Sequence, residues 1–117
     1  MKEYFTRLCF GIKLKTEIHT RVAVKDEHVE SVAALLKTMS HPLRLKILCL
    51  LQEKEMAVGD IRDKVKTTNA NVSQHLSILR NQGIIGSRKE ANYIFNRITD
   101  TRVLELIATM SRLFCQS

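Results

Sequence analysis

The chain has 117 residues, of which 44% are apolar, and this length predicts one globular domain with a core of limited size. Its 19 Lys and Arg residues outnumber the 12 Asp and Glu residues, which gives a formal charge of +7. Such a balance favours a polyanionic partner, either nucleic acid or an anionic membrane surface, but it specifies no fold.

The cysteine content indicates the compartment. Three cysteines without a secretion signal predict a reducing environment and free thiols. The N-terminus carries charges but has no apolar run long enough for a signal peptide. Since no stretch approaches the roughly 18 apolar residues of a membrane span, we expect a cytoplasmic protein without a membrane partner.

Residues 1–24 differ in pattern from the rest of the chain. From Ile12 to Val24 apolar and polar positions largely alternate, which is typical of a strand. A lone strand has no obvious pairing partner, so a mobile basic arm agrees equally well with the pattern. A third alternative is that the native chain begins near Val22 or Val24. These alternatives stay open, and residues 25–117 are predicted to form the folded domain.

Two helices are predicted at the start of this domain. The first covers residues 26–39, with Asp26 as a possible cap and an apolar stripe at spacings of three and four. Residues 40–42 (Ser-His-Pro) interrupt the pattern, and Pro42 suits the first turn of a second helix over residues 42–53. This second helix is apolar on more than one side, so we expect it to be central and buried.

Two further helices follow. The third is predicted over residues 57–65, with Val58, Ile61 and Val65 facing inward. Residues 67–69 (Thr-Thr-Asn) supply capping side chains for a fourth helix over residues 69–81. Gly83 is expected to end that helix at the position after its C-cap.

The C-terminal third predicts a hairpin and a last helix. Residues 84–88 and 93–98 favour strands, and the four residues 89–92 form their connection. Asp100 is expected to cap a helix that continues to about Cys115. Its apolar stripe comprises Val103, Leu104, Ile107, Met110, Leu113 and Phe114.

The predicted fold is therefore mainly α with a small β-hairpin, in the order ααααββα. Two short helices joined tightly and followed by a basic hairpin describe a winged helix-turn-helix. The first and last helices each carry an apolar stripe. We expect them to form the interface of a homodimer.

The fourth helix has the side chains that a DNA-recognition helix needs. Short polar side chains near its N-terminus can reach base edges, and flanking cations can bind phosphates. Val72, Leu76 and Leu79 should hold this helix to the core. The candidate DNA-binding residues on it are Thr68, Asn69, Asn71, Ser73, Gln74, His75 and Arg80, and those on the hairpin are Arg88, Lys89 and Asn92.

Two alternatives apply to this helix. A polar helix face is often merely solvated, but the tight preceding helix, the cap, the basic hairpin and the net charge together favour double-stranded DNA as the partner. His75 is ambiguous, since it suits either a half-buried structural histidine or a DNA contact.

Two segments resemble a known family. Residues 35–48 (LLKTMSHPLRLKIL) resemble the N-terminal signature of ArsR/SmtB-type repressors, and residues 72–76 (VSQHL), followed by Leu79-Arg80 and Gly83-Ile84, resemble their recognition helix and its exit. The resemblance covers about residues 26–116 and leaves out the first 24. It implies a homodimeric prokaryotic repressor that binds an inverted repeat near a promoter and leaves it when an inducer is sensed.

Many proteins of that family sense metals, so the ligand positions are informative. The thiol-rich motif on the third helix has no counterpart, because residues 56–60 contain no cysteine. The last helix has carboxylates but no histidine. Since zinc requires about four closely arranged ligands, two distant cysteines do not predict a metal site, although His41 or a second subunit could add ligands. We expect no metal site and, separately, no cofactor.

Cys49 in the second helix and Cys115 at the end of the last resemble the thiol pair of the persulfide- and redox-responsive branch of the family, whereas Cys9 does not match. The resemblance implies that both thiols react with persulfide or polysulfide and become joined through sulfur. Arg112 or Lys46 would favour the thiolate, or they are simply solvated helix charges. Alternatively, Cys49 is a small apolar core residue, or the inducer is a metal, a metalloid or a general oxidant.

Two other protein classes have less support. An enzyme would need Cys49 or Cys115 as nucleophile with His41 or His75 as base, but the chain has no phosphate loop and no CxxC motif, so we expect no enzymatic activity. A basic module for membrane surfaces or heparin would carry a dense run of charge, whereas these charges are spread along the chain.

Overall fold

The structure, a computed structural model, describes residues 25–115. These residues form five helices and one three-stranded antiparallel sheet. The helices are α1 (Asp26–Met39), α2 (Pro42–Glu53), α3 (Val58–Val65), α4 (Asn69–Asn81) and α5 (Thr101–Phe114). The strands are β1 (Met56–Ala57), β2 (Ile85–Glu90) and β3 (Tyr93–Ile98). The alternatives raised for residues 1–24 lie outside the described residues.

The junction of α1 and α2 is fixed by side-chain hydrogen bonds. The His41 ring accepts a hydrogen bond at Nδ1 from the Leu43 N–H (3.1 Å), so His41 caps α2, and Pro42 occupies the first turn as predicted. The Arg44 Nε donates to the Thr38 carbonyl at 2.7 Å. At the other end of α1 the predicted Asp26 cap was wrong. Asp26 lies in the first turn, and the Lys25 carbonyl accepts the first helical hydrogen bond from Val29.

The sheet has the order β1-β3-β2, and both pairings are antiparallel. Met56 pairs with Asn96 and Ala57 with Phe95, so Ala57 belongs to a strand and α3 begins one residue later than predicted. The predicted order ααααββα is therefore corrected to ααβααββα. The two-residue strand was missed because so short a segment carries no periodicity of its own.

The hairpin is tighter than its sequence predicted. β2 extends to Glu90, and Lys89 and Glu90 pair with Ile94 and Tyr93, which leaves Ala91 and Asn92 as a two-residue turn in place of the predicted four residues. Ala91 has a φ of 55°, and a positive φ at the first turn residue matches the right-handed twist of the flanking strands.

The core contains residues from every helix. Helix α2 is central, as predicted, with Ile47 and Leu48 fully buried and Leu51 4% exposed. The inward positions predicted on α4 are confirmed. Around α2 lie these buried side chains from the rest of the described chain: Met39, Met56, Ile61, Val65, Val72, Leu76, Leu79, Ile84, Ile85, Val103 and Ile107.

Caps set the length of α4 and α5. The Thr68 hydroxyl accepts a hydrogen bond from the Asn71 N–H at 3.1 Å at the start of α4. At its end Gly83 has a φ of 73° and its N–H donates to the Arg80 carbonyl, which confirms Gly83 as the terminator. Asp100 caps α5 by accepting from the Arg102 N–H. Among the described helices, none combines the length and apolar character needed to cross a bilayer.

Candidate nucleic-acid interface and thiol pair

The N-terminal half of α4 presents polar side chains to solvent. Ser73 and Gln74 are exposed, as is Asn69, whose Oδ1 accepts a hydrogen bond from Arg62 at 3.0 Å. The Asn71 amide donates to the Thr67 hydroxyl at 3.0 Å. The hydroxyl of Thr68, another predicted DNA-binding residue, is the helix cap described above. Ser73 and Gln74 therefore remain the candidates with the most accessible polar groups.

His75 lies beside His41, with ring centroids 4.5 Å apart and ring planes tilted by 38°. Its side chain is half-buried, and among the described residues its Nδ1 has no hydrogen-bond partner. Burial lowers the pKa of His75, and the charges of His41 and Arg44 lower it further. The ring is therefore mainly neutral at pH 7 and adds little positive charge to this face. A base contact by His75 stays a prediction.

Arg80 connects α4 to the sheet. Its Nη2 donates to Asn96 Oδ1 at 3.2 Å, and the Asn96 amide donates to the Met56 carbonyl at 3.2 Å. Asn96 is fully buried, and sequence reasoning did not identify it. The available signal was the period of two in β3, which places Asn96 on the same face as Ile98. This hydrogen bond directs one end of the Arg80 guanidinium, a predicted phosphate-binding group, toward the sheet.

Arg88 of the wing, residues 85–98, is held by hydrogen bonds to two carboxylates of the same chain. The Glu55 carboxylate accepts from Arg88 Nε at 2.9 Å and also from Nη2, while Glu90 accepts from Nη1 at 2.6 Å. The Arg88 guanidinium carbon lies 5.0 Å from the centroid of the Phe95 ring. These hydrogen bonds lower the pKa of Glu55 and raise that of Arg88. Of the wing residues predicted to contact DNA, Lys89 and Asn92 are exposed near the tip of the hairpin. The Arg88 guanidinium is instead already hydrogen-bonded to Glu55 and Glu90.

The two thiols singled out in the sequence line one cleft. Helix α5 packs against α2, and this contact brings Cys115 to the side of Cys49. Both are free thiols, Cys49 half-buried and Cys115 exposed. The cleft, which we call the thiol cleft, has a volume of about 480 Å³. It is lined by Pro42, Leu45, Lys46, Cys49, Met110, Phe114 and Cys115.

Cys49 has one polar neighbour of particular interest. The Ser111 hydroxyl lies 4.0 Å from Cys49 Sγ and donates to Gln52 Oε1 at 3.2 Å. Burial raises the pKa of the Cys49 thiol, the Ser111 hydroxyl lowers it, and the negative charge of a Cys115 thiolate raises it. Cys49 is therefore mainly protonated at neutral pH. Lys46 lines the cleft, whereas Arg112 is exposed on α5.

Within residues 25–115, no three His, Cys, Asp or Glu side chains are close enough together to hold a metal ion.

The sequence matches a family of known proteins. A profile described as bacterial regulatory protein, arsR family, matches residues 41–87, from the cap of α2 into β2. The transcriptional activator HlyU of Vibrio cholerae is 35% identical over 92 residues, which cover 79% of this chain and 85% of HlyU. The chain belongs to the ArsR family. Another member, the biofilm growth-associated repressor of Xylella fastidiosa, is 36% identical over 90 residues, covering 77% of this chain and 79% of the repressor.

Solved structures of ArsR-family proteins confirm the winged helix-turn-helix. HlyU from Vibrio cholerae superimposes with a TM-score of 0.76 at 35% identity, covering 79% of this chain and all of HlyU. The transcriptional repressor BigR from Xylella fastidiosa gives a TM-score of 0.72 at 35% identity, covering 79% and 94% of the two chains. This ArsR-family chain is thus a DNA-binding transcriptional regulator, with α4 in the place of the recognition helix.

Proposed function

We propose that this ArsR-family chain is a homodimeric repressor that binds an inverted-repeat operator and leaves it when Cys49 and Cys115 react with persulfide or polysulfide. The observation that carries this proposal is the common cleft of the two thiols, at the contact between α2 and α5. A cysteine that only filled the core would need no second thiol beside it.

Operator binding is assigned to α4 and the wing. In the major groove Gln74 can make paired hydrogen bonds to adenine, and Ser73 suits either a base edge or a phosphate. Lys89 at the wing supplies a cation for the DNA backbone. A two-fold dimer would present its two α4 helices about 34 Å apart, which matches one turn of DNA.

The sensing chemistry follows from thiol exchange. One thiolate attacks a sulfur atom of the polysulfide, and a shorter polysulfide leaves with the bonding electrons. When the first cysteine carries two added sulfur atoms, the second thiolate attacks the inner added atom and the outer one leaves as hydrosulfide, so the two residues are joined through one extra sulfur. Since α2 also packs on α4, a bond between α2 and α5 would alter how the dimer presents its recognition helices.

The experiment combines mass spectrometry with DNA binding by the reduced, full-length protein. An operator is first selected from a pool of random DNA duplexes, and binding is followed by fluorescence anisotropy before and after inorganic polysulfide. We expect a Cys49–Cys115 bridge carrying extra sulfur and a loss of operator affinity of at least about tenfold, or about 1.4 kcal/mol. Cys49→Ser and Cys115→Ser should bind the operator normally but should not be released.

Cys9→Ser is the matched control and should respond like the wild type. Release of the Cys49→Ser protein by polysulfide, or modification at Cys9 alone, would overturn the proposal. A reporter assay gives the sign of regulation, since HlyU is named an activator and BigR a repressor.

A second candidate is a regulator of the same fold that responds to general oxidants or to metals and metalloids. The same pair of free thiols favours it, because peroxide can join two neighbouring cysteines directly. Equal release by peroxide, with a plain disulfide, would identify an oxidant sensor. Release by arsenite or Zn²⁺ with the thiols unoxidised would identify a metalloid or metal sensor.

A further inference from the structure

We propose that Ser111 and Gln52 together control the protonation of Cys49, with the Ser111 hydroxyl stabilising the thiolate and Gln52 competing for the same hydrogen. This inference rests on the proposed function, because it concerns how readily the sensing thiol becomes reactive. Ser111 and Gln52 are positioning residues, since they act through Cys49.

The geometry places one hydrogen between two acceptors. Ser111 lies on α5, whereas Cys49 and Gln52 lie one turn apart on α2. The hydroxyl is 3.2 Å from Gln52 Oε1 and 4.0 Å from Cys49 Sγ, and both contacts are partly buried. A serine hydroxyl has a single hydrogen, so it can donate fully to only one of them.

The direction of the donation changes with the charge on sulfur. While Cys49 is a neutral thiol, Gln52 Oε1 is the better acceptor, and the shorter distance agrees with this. When the thiol loses its proton to solvent, the thiolate becomes the stronger acceptor, and the Ser111 O–H turns from Gln52 to Sγ. Gln52 then loses a hydrogen bond in a partly buried site, and this loss opposes ionisation.

The other ionisable groups facing Cys49 are those of the thiol cleft. Lys46 on α2 lines the cleft, and a Cys115 thiolate at the end of α5 disfavours the Cys49 thiolate. Burial also favours the neutral thiol. The Ser111 hydroxyl on α5 therefore lowers the pKa of Cys49 against the effect of burial. Gln52 limits this lowering because it competes for the same hydrogen.

Substitutions of the two residues have opposite expected effects. Ser111→Ala removes the donor, so the pKa of Cys49 should rise and its alkylation at pH 7.4 should slow by about threefold. Gln52→Leu removes the competing acceptor, so the pKa should fall and alkylation should become about threefold faster. In the double variant Gln52→Leu should have no effect, because there is no hydroxyl left to release.

The test measures the pH profile of iodoacetamide labelling in full-length protein, with the Cys49 peptide followed by mass spectrometry. Ser111→Thr, which keeps a hydroxyl, should restore a profile close to that of the wild type. Thr109→Ala is the matched control, because the Thr109 hydroxyl on the same helix donates to the Glu105 carbonyl. Far-UV circular dichroism confirms that each variant is folded.

An unchanged midpoint in Ser111→Ala, or an equal effect of Gln52→Leu with and without Ser111, would overturn the inference. Labelling involves neither polysulfide nor DNA, so its outcome is separate from the proposed function. If polysulfide still releases the operator from the wild type while the labelling result fails, only the roles of Ser111 and Gln52 are wrong.

Discussion

His75 shows how a residue chosen for DNA contact can also be part of the framework. The sequence left two alternatives open for it, and its half-buried ring against His41 favours the structural one. Its Nδ1 is buried without a partner among the described residues, so a proton there would be poorly solvated. Because the ring lies on α4, its protonation should affect the stability of the recognition helix.

The lowered pKa of His75 predicts a pH-dependent stability. The unfolded chain protonates this residue near pH 6.5, whereas the folded protein does so only at lower pH. Between these two values the unfolded state binds more protons, so the stability present above pH 6.5 should decrease as the pH falls from about 6.5 to the folded pKa. Urea unfolding from pH 8 to pH 5 measures this loss, and it should be smaller in His75→Gln. Parallel stability curves for the two proteins would contradict the assignment.

The sheet connects the recognition helix to the wing through groups that are distant in sequence. Asn96 joins Arg80 on α4 to the Met56 carbonyl of β1. Glu55, which directly precedes β1, binds Arg88 of β2. The short strand β1 therefore places an acidic side chain against the wing arginine that the sequence predicted to bind DNA.

Removing that carboxylate charge should strengthen DNA binding. In Glu55→Gln the Arg88 guanidinium loses its strongest partner and becomes available to a phosphate. Operator affinity should rise, and the slope of log K against log salt should steepen by about 0.9 for one added phosphate contact. Anisotropy titrations at several salt concentrations measure both effects. The control is Glu55→Gln combined with Arg88→Ala, which should show no gain; an equal gain there would show that Glu55 acts by general repulsion of DNA.

The molecule exposes an apolar groove along α1 and α5. Leu36 is 47% exposed, Leu106 40% and Leu113 65%, and the groove between them has a volume of about 330 Å³. A small soluble protein rarely leaves such a surface uncovered. The groove shares Leu45, Met110 and Phe114 with the thiol cleft. A change at the thiols would therefore reach the proposed dimer interface directly.

A charge in this groove should separate the proposed dimer. Leu113 is largely exposed in the single chain, so Leu113→Glu should leave the fold intact while placing an unpaired charge in the interface. Sedimentation analysis should give a dimer for the wild type and a monomer for the variant, and operator affinity should fall because one half-site is lost. Glu105→Gln, an exposed change on the same helix, is the control. A dimeric Leu113→Glu protein would exclude this surface as the interface.

Much of the fold followed from the sequence because its signals act over short distances. The bounds of α2 and α4 could be predicted from apolar spacing together with Pro42 and Gly83. These signals are local, since periodicity and capping depend on residues within one or two turns. The same signals gave the inward faces of α2 and α4, whereas the thiol pair came from the resemblance to a known family. They failed at β1 and at the hairpin turn, where strand pairing decided the conformation.

The site itself depended on contacts between distant residues. No local pattern indicates that Glu55 binds Arg88, 33 residues away, or that Ser111 lies beside Cys49, 62 residues away. Sequence alone supplied the candidates for the chemistry: the polar face of α4, the basic hairpin and the cysteine pair. Only the tertiary structure decided which of them meet, because burial, hydrogen bonding and charge pairing between helices and strands arise when the whole chain packs around α2.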